Sequence, residues 1–153
     1  MKKMKLFCGA LIGLMALTAC SSDDDNSNPD SPSLVGTWKQ VNEIDYCSTG
    51  GQETISLDSC EQNGRFKFNS NGTYSITSYE FDGGSCQLDS TENGNWEISN
   101  GSLLINHQEG SWTFTTFVLT DNTLKIGSEM IIPGEPCNDG HLVSYELNFV
   151  RVD

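Results

Sequence analysis

Positive charge is scarce in this chain. Eight lysines and arginines stand against 21 aspartates and glutamates, a net charge of −13. A surface that acidic repels phosphate backbones, which argues against any nucleic-acid partner, and the same charge favours solubility. Histidine is rarer still: only His107 and His141 are present, each in a turn-rich stretch with no serine or cysteine nucleophile patterned nearby. No glycine-rich loop runs into a helix to cradle phosphate, and no acidic loop has EF-hand spacing. Cys137 and His141 are four apart, but no second pair of ligands completes a zinc site. Enzymatic chemistry, a cofactor and a resident metal therefore find no support, and a non-enzymatic protein is expected.

Long apolar runs are missing as well. The longest uncharged one, Leu6 to Ala19, has 14 residues, fewer than the ~20 that span a bilayer as a helix. It follows the basic Met1-Lys2-Lys3-Met4-Lys5 and ends in Leu17-Thr18-Ala19-Cys20. Basic flank, apolar run and small residues before a cysteine make residues 1–19 a lipoprotein signal peptide. Cys20 is then the lipid attachment site, and several acyl chains at ~0.8 kcal/mol per buried CH₂ hold it durably in a membrane. Loss of Lys2, Lys3 and Lys5 with the leader takes the net charge to −16. The rest of residues 20–33 offers nothing to bury and forms a flexible acidic tether. Ser22-Asp23-Asp24-Asp25, close behind that cysteine, resembles the export tag that carries Bacteroidetes lipoproteins to the outer face of the outer membrane. The expected location is therefore the outer membrane, lipid-anchored and cell-surface exposed, with the periplasmic face as the alternative.

Residues 34–153 form one domain, large enough to bury a core without metal or partner. No stretch of twelve residues shows helical periodicity. The period is two, and Ser70-Asn71-Gly72, Ser99-Asn100-Gly101 and Thr120-Asp121-Asn122 supply tight-turn chemistry. The pattern predicts eight strands: 35–46, 64–69, 73–81, 94–98, 102–106, 111–119, 123–132 and 142–151. None contains proline, as central pairing requires. The tight turns fall at one end, the bottom, and the long loops 47–63, 82–93 and 133–141 at the other, the top. An all-β, eight-stranded antiparallel up-and-down barrel satisfies this arrangement and removes its edges. Two strands, 73–81 and 111–119, change apolar phase midway, which predicts a bulge in each.

Cysteine is used sparingly but evenly in this domain. Cys47, Cys60, Cys86 and Cys137 all fall in the top loops, four thiols in an oxidising compartment. Cys60 precedes the second strand and Cys86 follows its hairpin partner; Cys47 ends the first strand and Cys137 precedes the last. Closure of a barrel makes first and last strands neighbours, so Cys47 should pair with Cys137 and Cys60 with Cys86.

Gly36-Thr37-Trp38 at the start of the first strand and Arg151 at the end of the last resemble the Gly-x-Trp motif and terminal arginine of lipocalin-like barrels. The likeness is to the lipocalin-like domain of Bacteroidetes surface lipoproteins, and it runs from Leu34 to Val152. It implies a barrel that binds a small hydrophobic or amphiphilic molecule. Gly36, Trp38 and Arg151 are expected to plug the bottom, with the guanidinium over the indole. Strand alternation puts Ile44, Tyr46, Tyr79, Phe81, Met130, Ile132 and Tyr145 on the inner faces near the top, as the lining of a pocket. Abundant aromatics would leave only a small cavity. The alternative is a protein- or glycan-interaction (or inhibitor) module that works through the disulfide-tied top loops around a filled barrel.

Overall fold

The computed structural model of the protein describes residues 32–129, 136–137 and 140–153. The leader, Cys20 and residues 20–31 of the tether lie outside the described residues, as do Met130 and Ile132. From Gly36 onward the alternating pattern produces antiparallel strands: β1 Gly36–Cys47, β2 Gln52–Ser56, β3 Arg65–Phe68, β4 Thr73–Asp82, β5 Ser85–Ser99, β6 Ser102–His107, β7 Gly110–Phe114, β8 Thr116–Leu119, β9 Thr123–Glu129, β10 Pro136–Cys137 and β11 Gly140–Arg151. One 3₁₀ turn, Glu61–Asn63, precedes β3.

Neighbouring strands run β7-β6-β5-β4-β3-β1-β11-β9-β8, with β2 on β1 and β10 on β11. First and last long strands pair from Trp38 opposite Arg151 to Cys47 opposite Leu142. The two ends of this path, β7 and β8, are successive pieces of one run joined through Thr115. The result is a nearly closed antiparallel barrel of nine strands rather than eight. The extra strand comes from the predicted 111–119, where the phase change is a break: Phe114 pairs with Leu103, whereas Phe117 pairs with Ile126 on the far side.

Two expectations about loops are corrected. The predicted loop 82–93 shrinks to a two-residue turn: Gly83 and Gly84 both take positive φ and connect β4, ending at Asp82, to β5, starting at Ser85. The loop 47–63 contains β2, which takes over from β3 on the upper edge of β1: Gly36–Trp38 pair with β3, and Asn42–Tyr46 with β2. The 3₁₀ turn lies against β1 and β4. Its start is fixed by Asp58, whose Oδ1 accepts from the amides of Cys60 and Glu61 at 2.7 and 2.8 Å.

Both cross-links have the expected partners, Cys47 with Cys137 and Cys60 with Cys86. One ties the top of β1 to β10, beside β11; the other fastens the 3₁₀ turn to the β4–β5 hairpin.

The lower half of the interior is solid. Trp38, Phe68, Leu103, Ile105, Leu124, Ile126 and Phe149 are almost wholly buried there. At the closed end Arg151 Cζ stands 4.2 Å from the indole centroid of Trp38. The guanidinium donates through Nε to the carbonyl of Asp121 (2.6 Å), through Nη1 to that of Val35 (2.9 Å) and through Nη2 to that of Ser33. The Trp38 indole N–H donates to Leu34 O at 2.9 Å. Gly36 is fixed by this geometry: its φ is +143°, and a Cβ there would collide with Arg151 Nη1. The predicted plug of Gly36, Trp38 and Arg151 is present, and it gathers the carbonyls of Ser33, Leu34 and Val35 under the barrel.

Candidate functional site

Above the packed half the barrel holds a cavity of about 350 Å³, lined by Phe66, Ile76, Ser78, Ser90, Glu92, Trp112, Phe114, Tyr145 and Leu147. Paired residues of an antiparallel ladder share a face, so the register explains the lining. Phe66 stands opposite Ile76, and Ile76 opposite Glu92. Ser78 is opposite Ser90, and Trp112 opposite the buried Ile105. Small side chains on β4 and β5 leave the space that aromatics elsewhere fill. Gly94 continues that inner row: a Cβ there would collide with the carbonyl oxygen of Asn106 and with the Tyr74 ring.

The polar part of the cavity centres on Glu92. Tyr74, buried at its floor, donates its hydroxyl to Glu92 Oε1. Burial first, and then this hydrogen bond and the charge of Glu92, push the Tyr74 phenol above its ordinary value, so it remains a neutral donor. On the opposite wall burial, followed by the negative charge of Glu43, raises the Tyr145 phenol too. A groove of about 380 Å³ adjoins the cavity through Ser90, Glu92 and Trp112 and reaches His107, Gln108 and Glu109. His107 stacks on Trp112 there, with ring centroids 4.5 Å apart. Beneath the 3₁₀ turn a further cleft, about 320 Å³, shares Phe66 and Ser78 and includes Gln40, Leu57 and Tyr79.

Residues 34–126 match the family described as the lipocalin-like domain. This chain belongs to that family. The lipocalin-like domain here also has the fold of an uncharacterized protein from Bacteroides eggerthii DSM 20697, whose crystal structure is known at 2.60 Å resolution. The two share 14% identity with a TM-score of 0.50, over 78% of this chain and 100% of the other. No curated protein matches the sequence.

Of the residues expected to line the pocket of this lipocalin-like domain, Tyr145 does so. Ile44 and Tyr46 do not, because β1 carries a bulge at Val41: Gln40 pairs with Phe149, but Asn42 pairs with Asn148. One extra residue reverses the faces beyond it. Ile44 and Tyr46 turn outward, and the Tyr46 hydroxyl donates to Glu146 Oε2 at 3.1 Å beside a Lys125–Glu146 ion pair of 2.9 Å. In their place Glu43 and Asp45 come onto the inner face, opposite Leu147 and Tyr145.

Tyr79 and Phe81 are also displaced. The β4–β5 register shifts where the phase change predicts, between Ser78 and Tyr79, but the unpaired residue is Asp89 on β5. β4 keeps its own alternation, so Tyr79 lines the cleft beneath the 3₁₀ turn and Phe81 is 52% exposed. Glu92, Ser90, Ser78 and Trp112 are site residues absent from the predicted lining. Glu92 and Ser90 lie in the stretch read as loop, and the signal that places them is the unbroken alternation Ser90, Glu92, Gly94, Trp96.

Proposed function

We propose that the barrel is a carrier or receptor site for a small hydrophobic or amphiphilic molecule, held in the upper cavity and presented on a lipid-anchored protein. The cavity carries this reading: about 350 Å³ with Phe66, Ile76, Phe114 and Leu147 as apolar walls and a few convergent polar groups, the usual make-up of a small-molecule site. A barrel of this kind is typically a binding fold, and among the described residues the cavity lining contains neither histidine nor cysteine.

Ser78→Trp is the direct test. Ser78 is half-buried on the cavity wall, and an indole there occupies the space without entering the packed lower half. Titration of the disulfide-intact domain with an environment-sensitive apolar dye should give saturable binding, weakened about tenfold or more in Ser78→Trp, which retains the far-ultraviolet circular dichroism of the native protein. No saturable binding by the native domain would shift the reading to the loop-borne interaction module.

The anchor is part of the same proposal. Leu17-Thr18-Ala19-Cys20 supports acylation at Cys20, and the aspartates that follow support display on the outer membrane surface rather than its periplasmic face. Cys20→Ala should move the protein from the detergent phase to the aqueous phase on Triton X-114 partitioning. Unchanged partitioning would refute lipid attachment at this residue.

A further inference from the structure

The charges of the domain are distributed unequally between its inside and its outside. After the leader the sequence contains five lysines and arginines, and none lines the cavity. Lys39 donates to Gln62 Oε1 at 3.2 Å and Arg65 to the carbonyls of Gln62 and Gly64. Lys67 is exposed on the outer face of β3, Lys125 pairs with Glu146 outside β9, and Arg151 belongs to the plug at the far end. The cavity, by contrast, contains Glu92, and the bulge at Val41 brings Glu43 and Asp45 onto the same inner surface. Tyr74, the hydroxyl partner of Glu92, contributes a dipole but no positive charge. His107, stacked on Trp112, is a basic side chain of the adjoining groove and not of the cavity lining.

An anionic head group entering this site would meet like charge with no lysine or arginine in the lining to receive it, and it would lose its hydration as it did so. A protonated amine meets the reverse situation. It gains a charge-assisted hydrogen bond to a carboxylate that Tyr74 already orients.

We propose that the cavity selects cationic ligands: a small molecule with an apolar body against Phe66, Ile76, Phe114 and Leu147 and an ammonium group directed at Glu92. This assigns a ligand class to the site proposed above and rests on that reading. A fatty acid, whose head group is a carboxylate, is disfavoured by the same geometry.

Three probes with one chain length separate the two claims: decylamine, 1-decanol and decanoate, titrated calorimetrically into the disulfide-intact domain at pH 7. Decylamine should bind about tenfold or more tightly than decanol, and decanoate more weakly than either. In Glu92→Gln the ratio of decylamine to decanol affinity should fall to about one, while the amide oxygen of the variant can still accept from the Tyr74 hydroxyl. Decanol or decanoate binding as tightly as decylamine would overturn the charge selection and leave the apolar cavity standing. An amine preference that survives Glu92→Gln would overturn the assignment to this carboxylate. Failure of all three probes to bind would overturn both claims.

Discussion

Trp38→Ala should remove about 3–5 kcal/mol of folding stability, the usual cost of deleting a large buried aromatic. Trp38 has no exposed surface, and its indole joins three parts of the closed end: the Leu34 carbonyl, the Arg151 guanidinium and the packed rings above. Its loss leaves a void and deprives Arg151 of the ring it covers. Gly36→Ala should act on the same assembly from the other side, because its positive φ and the close approach of Arg151 Nη1 leave no room for a methyl group. Urea unfolding followed by far-ultraviolet circular dichroism reads both variants. A loss below about 1 kcal/mol for Trp38→Ala would mean that this end is sealed by the backbone ladder and not by the plug.

Removal of the Cys47–Cys137 cross-link is expected to be similarly costly. The cysteines are 90 residues apart in sequence, against 26 for Cys60–Cys86. Loop-closure entropy in the unfolded chain gives about 4–5 kcal/mol for the first and about 3–4 kcal/mol for the second. The double variants Cys47→Ala/Cys137→Ala and Cys60→Ala/Cys86→Ala, compared in urea, should therefore both be destabilised, the first more strongly. The opposite order would show that the 3₁₀ turn, which Cys60–Cys86 fastens to the β4–β5 hairpin, depends on its staple more than the β1–β11 seam does.

The closed topology was legible because it rests on features with few alternatives: Asn-Gly turns, strand-length alternation, and four cysteines at one end. Trp38 and Arg151 were legible for the same reason, since each lies close to a strand end where no intervening bulge could move it. The cavity was not. Ile44 and Tyr46 satisfy the apolar alternation of β1 better than Glu43 and Asp45 do, and only a bulge at Val41 puts the acidic pair inside. Pattern favours the uninterrupted strand; pairing with β11 decides otherwise. In β5 the run Asp89-Ser90-Thr91-Glu92-Asn93-Gly94 has the composition of a loop. Its strand conformation comes from the ladder with β4, a tertiary contact that overrides weak local propensity. The same misreading hid Glu92, the residue on which ligand charge turns.

Chemical-shift mapping of the disulfide-intact domain against 1-decanol tests the central claim most directly. Saturable shifts should concentrate on Phe66, Ile76, Tyr145 and Leu147, with Leu124 and Ile126 in the packed half little changed. Shifts confined to Phe81, Leu88 and the other exposed apolar side chains, or none at any accessible concentration, would contradict a ligand site inside the barrel.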